Sequence, residues 1–308
     1  MKLKRELKLK GSLKQIVWIS SALMVLLAVG LTLFFNFSSS EKSYAAVTGE
    51  YRTKASGNWN AIATWKRYNG TSWVNATVAP TSSDATITIL SGHTVTITAN
   101  VTADQVVVNS GGVLVSNSGV TLTLNNGTGT DLDVSGVFKN AGTVTINASA
   151  TIVYQSSGTY QHNYTTTAGV IPAATWNSGS TCEIIGYTTY NNALTGMQAF
   201  SNFVWNCPLQ VNWIDLGGAL TSVTGDFTIT STGLTGGLRL SKNTASTLSV
   251  GGDFTLTNGN FSLSDGSNIT SVMNVAGDYT HTLGTFSIVD GSSSTGNVNL
   301  SGNFTHTA

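Results

Sequence analysis

Charge is what this chain has least of: only 9% of its 308 residues are Asp, Glu, Lys or Arg. Beyond Lys139 the only basic residues are Arg239 and Lys242, so nothing resembles the Lys/Arg footprint that phosphate contacts require, and nucleic acid is excluded as an expected partner. Proline is scarce, with Pro80, Pro172 and Pro208 alone, and the two cysteines, Cys182 and Cys207, allow at most one disulfide. No helical apolar stripe competes with strand-like alternation in the repeats. There is no Gly-x-Ser-x-Gly, no His-Glu-x-x-His and no phosphate loop, which removes the motif-borne hydrolase and nucleotide chemistries.

What is present is threonine, serine, asparagine and 33 glycines among 41% hydrophobic residues. Apolar residues in strict alternation supply enough surface for a core, so the low charge does not mean disorder. The segment Gly225-Asp226-Phe227-Thr228-Ile229-Thr230 returns as Gly252-Asp253-Phe254-Thr255-Leu256-Thr257, as Gly277-Asp278-Tyr279-Thr280-His281-Thr282 and as Gly302-Asn303-Phe304-Thr305-His306-Thr307, in nearly equal steps. A unit this short cannot bury its own apolar face, so neighbouring units must stack. Within it, apolar residues alternate with threonine at the period of a half-buried strand. A second alternating run follows (Phe261-Ser262-Leu263, Phe286-Ser287-Ile288), then a polar turn (Asp265-Gly266-Ser267-Asn268, Asp290-Gly291-Ser292-Ser293) and a third run (Val272-Met273-Asn274-Val275, Val298-Asn299-Leu300). Two or three short strands per coil of ~25 residues suit an all-β, right-handed parallel β-helix. A propeller blade needs about 40 to 45 residues, and the leucine-rich consensus is absent.

Upstream, runs such as Val106-Val107-Val108, Leu122-Thr123-Leu124 and Thr143-Val144-Thr145-Ile146 keep the same vocabulary with a blurred register. The β-helix is therefore expected over 93–308, with roughly nine coils and a rod about 40 Å long at one strand spacing per coil. The stretch from Tyr164 to Leu216, with two prolines, three tryptophans and both cysteines, is expected to send longer loops out of the coil. Residues 46–92, rich in tryptophan, read as a small N-terminal β cap over the first coil. The chain stops just after the aromatic strand of a fourth repeat, which leads us to expect further coils and a C-terminal secretion or anchoring domain in the native protein.

The zero net charge hides a split. Residues 1–45 hold seven of the 14 basic residues and only Glu6 and Glu41. A basic start, an apolar run from Ile16 to Phe35 and the small residues of Ser43-Tyr44-Ala45-Ala46 form an export signal, with cleavage expected after Ala45 or Ala46. The apolar run is also long enough to span a bilayer, so an uncleaved membrane anchor is the alternative. Either way the remainder is expected outside the cytoplasm.

The string Gly49-Glu50-Tyr51-Arg52-Thr53-Lys54-Ala55-Ser56-Gly57-Asn58-Trp59, followed by Thr64-Trp65, Trp73, Pro80, Asp84 and Ile89-Leu90-Ser91-Gly92-His93-Thr94-Val95-Thr96, resembles the start of large secreted proteins of Bacteroidetes. The likeness continues through Gly158-Thr159-Tyr160-Gln161-His162-Asn163, Ile171-Pro172, Thr175-Trp176-Asn177, Gly179-Ser180-Thr181-Cys182 and Trp205-Asn206-Cys207-Pro208 into the Gly-Asp-Phe repeats. It covers nearly all of 49–308. Such proteins commonly carry a C-terminal sorting domain for type IX secretion, which these 308 residues lack. The resemblance implies an exported, adhesin-like repeat protein that uses secretion machinery, and it brings no catalytic residues.

Several side chains have two readings. Asp226, Asp253 and Asp278 occupy one repeat position and would stack as a column; they either bind Ca²⁺ or bond backbone N–H groups at a Gly-Asp turn, and the second is preferred because Asn303 replaces the fourth and the calcium nonapeptide is absent. His281 and His306 align with Ile229 and Leu256 on the inward face and read as hydrogen-bonded core histidines. His93 and His162 flank turns and show no ligand spacing. Asp131 and Asp133, at i and i+2, are the carboxylate pair a glycoside hydrolase would need. Arg239 and Lys242 are the only cations in the regular coils for a polysaccharide lyase. Trp59, Trp65 and Trp73 are either sugar platforms or the core of the cap. Cys182 and Cys207, separated by the length of one late repeat, would meet in adjacent coils and are expected to form a disulfide.

The reading that follows is a secreted or cell-surface β-solenoid with a structural or adhesive role and no catalysis on this segment. Expected partners are glycans or extracellular matrix components, the membrane is met only through the N-terminal segment, and no cofactor is called for unless the aspartate column takes Ca²⁺. The alternative is a polysaccharide-binding or polysaccharide-degrading β-helix.

Overall fold

The computed structural model describes residues 45–290 and 293–307. The export-signal reading of residues 1–45 falls, up to residue 44, outside that range. From Ala46 onward the chain forms one compact unit. It is an all-β parallel solenoid, and its spine is one 11-stranded sheet that begins at Gly57–Asn58, continues through Thr94–Ile97 and ends at Phe304–His306. All of its pairings are parallel.

Two further sides complete each coil. The strand after the spine lies in a three-stranded sheet early on (Val101–Ala103, Thr121–Leu124, Thr143–Ile146) and in a four-stranded one later (Trp213–Asp215, Gly237–Ser241, Asn260–Ser264, Thr285–Val289). The third side runs from Tyr51–Thr53 and Ile87–Ile89 to Thr175–Trp176, and resumes from Ser222–Val223 to Thr295–Leu300; a single bridge, Phe200 with Val223, lies between the two parts.

Coil length explains why the repeat shows in only part of the sequence. In the late coils Phe227 pairs with Phe254 and Phe254 with Tyr279. Earlier, Thr94 pairs with Val113, Val137 with Thr159, and Thr181 with Asn202, so each of these coils advances along the chain by less and by a different amount. Corners can lengthen or shorten without disturbing the ladder, so the early coils stack as regularly as the late ones. The solenoid also starts earlier than residue 93: Ile87–Ile89 pairs in parallel with both Tyr51–Thr53 and Val106–Val108. Residues 46–92 are thus joined to the coils, with the antiparallel strands Trp65–Tyr68 and Trp73–Asn75 as the only non-solenoid part of that sheet.

Two inward columns fill the spine side. One runs Leu114, Phe138, Tyr160, Cys182, Phe203, Phe227, Phe254, Tyr279 and Phe304 in register. From Phe203 to Tyr279 each ring meets the next at 5.7, 5.2 and 5.1 Å between centroids. Each fully buried ring contributes roughly 1.5 to 3 kcal/mol, with about 0.5 to 1.5 kcal/mol more per well-placed aromatic pair.

The Gly-Asp dipeptide is a corner clamp. Asp226 Oδ1 accepts the Asp253 N–H at 2.9 Å, Asp253 Oδ1 the Asp278 N–H at 2.7 Å, and Asp278 Oδ1 the Asn303 N–H at 2.8 Å; Asn202 opens the series by accepting the Asp226 N–H. Glycine precedes each one because a Cβ on Gly252 or Gly277 would collide with the carboxylate of the coil before it. Gly277→Ala is therefore expected to cost about 1 to 3 kcal/mol by overpacking. Adding Asp253→Ala removes the nearest colliding atom but leaves the Gly252 carbonyl oxygen 2.7 Å from the new Cβ, so the double change should cost less than the sum of the two singles in urea titrations while remaining destabilising.

Candidate functional site

The aspartate column is an array of hydrogen-bond acceptors spent on backbone N–H groups, each on the next coil rather than within its own turn. Among the described residues, no group of three or more His, Cys, Asp and Glu side chains is placed to hold a metal ion. His281 and His306 are register partners with ring centroids 4.8 Å apart, and His281 Nε2 lies 3.2 Å from the Gly284 carbonyl.

The tryptophans of the cap divide differently from the sugar-platform reading. Trp59 and Trp65 are buried edge to face at 5.3 Å; Trp59 Nε1 donates to the Pro80 carbonyl and Trp65 Nε1 to the Trp59 carbonyl. Neither can meet a ligand without unpacking the cap. Trp73 is partly exposed, but the Arg52 guanidinium covers its ring at 4.2 Å.

The carboxylates suggested for glycoside chemistry do not face one another. Asp131 is fully buried and accepts the N–H groups of Gly127 and Thr151 at 2.6 and 2.7 Å, with the Thr151 hydroxyl at 3.3 Å. Asp133 points outward and accepts Gln155 Nε2 at 2.9 Å. Of the two cations a lyase could use, Arg239 is ion-paired with Asp265 and lies over the Trp213 ring at 4.9 Å, and Lys242 is exposed.

The disulfide expectation fails on register. Because Thr181 pairs with Asn202, Cys182 falls opposite Phe203, and Cys207 lies beyond the end of that strand with its thiol 3.4 Å from the Ile184 carbonyl. The coil here is shorter than the cysteine spacing. Both thiols are free and buried, and burial pushes the Cys207 thiol up to about 12.

The structure adds a feature that sequence reasoning passed over. Between Thr143–Ile146 and Trp213–Asp215 the second side has no strand, and the chain leaves the coil in loops over 163–170 and 185–199, within the stretch marked by its prolines and tryptophans. A groove of ≈ 640 Å³ opens there, lined by Val144, Tyr164, Pro172, Tyr190, Asn192 and Thr195 among others, with no charged residue in its wall. Its volume is in the range of small-ligand sites.

A buried polar network holds the first loop. His162, a strand end with no solvent exposure, aligns with Asn140 and Ile184 on the inward side. With the proton on Nε2, His162 donates to the Ala168 carbonyl at 2.6 Å and its Nδ1 accepts the Tyr160 hydroxyl at 3.1 Å. Tyr164 packs on the imidazole at 4.4 Å, donates its hydroxyl to the Gly142 carbonyl and accepts Asn140 Nδ2 at 2.9 Å. Burial holds the His162 imidazole down at about 4, so it is neutral. A polar residue at an inward position, as at Asn140 and His162, was the sequence signal for this site.

No family model, no curated protein and no solved structure matches the chain. The functional reading therefore rests on geometry and on the sequence alone.

Proposed function

We propose that the chain is an exported structural or adhesive solenoid, presented at the cell surface or outside the cell after passage through secretion machinery, with no catalysis on this segment. The observation that carries this reading is the unbroken 11-stranded parallel spine. Its outward row runs from Lys139, Gln161 and Glu183 through Val204 to threonine, and the strand order continues past the one register shift, at Trp205 and Asn206. Such a scaffold presents many weak contacts at fixed spacing, and repetition converts them into avidity. The side chains best suited to chemistry, Asp131, His162 and Arg239, are all engaged in holding coils or loops together. Export is inferred from residues 1–46 and from the resemblance to secreted Bacteroidetes proteins.

A second reading, glycan binding, has one observation in its favour. The groove beside the interrupted side offers tyrosine rings, amides and hydroxyls without charge, which suits a neutral sugar. Binding to glycan and matrix-protein arrays, with product analysis on polysaccharides, separates the readings. The structural or adhesive role predicts no released oligosaccharide and any capture unaffected by Tyr190→Ala. Glycan capture lost in Tyr190→Ala supports the groove, and released oligosaccharides would contradict the non-catalytic assignment.

A further inference from the structure

Thr228, Thr255, Thr280 and Thr305 are register partners in four successive spine strands. They alternate with the inward aromatic column and face out. Two positions on, Thr230, Thr257, Thr282 and Thr307 form a second column. The ladder reaches it through hydrogen bonds from the N–H groups of Thr257, Thr282 and Thr307 to the carbonyls of Ile229, Leu256 and His281, at 2.8, 2.9 and 3.0 Å. The one register shift in the spine lies on the first of these strands, where Trp205 and Asn206 pair with Ile229 and Ser231 and leave Thr230 as the extra residue against the preceding strand; the pairings among the four strands themselves carry no shift. The aromatic rings beneath repeat at 5.2, 5.1 and 4.9 Å, so the four coils are nearly equal translations.

The result is a two-by-four lattice of hydroxyl and methyl groups, and no hydroxyl in it is hydrogen-bonded to another protein group. Neither column carries a charge or an aromatic ring, and the aspartates of the corner clamp mark one border. A regular sheet face cannot enclose a small solute. It can match only a partner that is itself flat, periodic and rich in hydrogen-bonding oxygen. The lattice spacings are about 4.8 Å between coils and roughly 6.6 Å between columns, near the oxygen repeats on faces of hexagonal ice. Waters bridging neighbouring hydroxyls would be held at those repeats, and the solenoid has already fixed the hydroxyl positions, so little ordering cost remains at binding. A crystalline polysaccharide also presents regular hydroxyls, but sugar rings are gripped by exposed aromatic faces, which these columns lack. We propose that this face organises a lattice of water and adsorbs to ice. The inference is independent of the adhesive and glycan readings.

Slow growth of ice from a solution of the fluorescently labelled protein tests it, alongside the double variant Thr255→Tyr/Thr280→Tyr and a control, Thr247→Tyr, at an exposed position on another side. Wild type and control should enrich in the ice, and the double variant should be left in the liquid with an unchanged thermal melt. If the double variant fails to fold, Thr280→Lys on the same row should give the same loss. Exclusion of the wild type from ice, or enrichment of a folded variant, would overturn the proposal. Retention of the wild type on crystalline cellulose or chitin, lost in the variant and accompanied by exclusion from ice, would overturn it in favour of a polysaccharide surface.

Discussion

Phe254→Ala is expected to cost about 3 to 5 kcal/mol of unfolding free energy, the range for a large-to-small change in a close-packed core. Phe254 has no solvent exposure and its ring touches Phe227, Phe261, Tyr279 and Phe286, with centroids 5.1 to 6.0 Å apart. Coils above and below are fixed by backbone ladders, so the cavity cannot collapse without breaking pairings. Thr255→Ala, one residue on and facing out, removes no buried contact and should fall within about 0.5 kcal/mol of wild type. Denaturant titration of both variants is the check; equal costs would mean that the inward and outward faces are reversed.

Acid should destabilise the protein through one buried group. His162 has its ordinary value of 6.5 when unfolded and about 4 when folded, because burial disfavours the imidazolium. Between those values the unfolded chain holds a proton that the folded chain does not, so stability falls as pH falls. The contribution is complete above pH 6.5, is lost progressively down to about 4, and amounts to about 3 kcal/mol in total. Protonation would also put a second donor on Nδ1 against the Tyr160 hydroxyl, which already receives Asn140 Nδ2 at 3.3 Å. His162→Gln, which keeps a donor and does not titrate, should flatten the stability profile over that interval even though it lowers stability at neutral pH. An unchanged slope in the variant would remove His162 as the cause.

Sequence and structure agree where one physical rule sets both. Glycine, aspartate and an aromatic recur from Gly225 onward because the corner clamp requires all three: a bare Cα, an acceptor for the next coil's N–H, and a ring to fill the core. That motif makes the late coils legible. Early coils use other corners and advance by shorter, unequal steps, so alternation reveals their strands but no fixed period reveals their register. The cysteine pairing failed for this reason, since the separation matched a late coil and both residues sit in a short one. Trp59, Trp65 and His162 show a second limit. Trp59 is buried by a loop distant in sequence, the one that carries Pro80, and His162 by the irregular loop that follows it and ends at Ala168, which carries no strand alternation to announce the contact. Loops leaving the coil were legible from the prolines and tryptophans of Tyr164 to Leu216, but the groove was not, because it is made by a strand that is missing from the second side.

One continuous parallel spine, with a single register shift at Trp205 and Asn206, connects the N-terminal cap to the last strand. Spin labels on Thr96→Cys and Thr305→Cys, both on its outward row, test it directly by pulsed dipolar spectroscopy, since the native thiols are buried. Nine register steps separate the two positions. At about 4.8 Å per step the account predicts a single narrow distance distribution near 43 Å. A broad distribution, or a peak well below about 30 Å, would contradict a continuous stack.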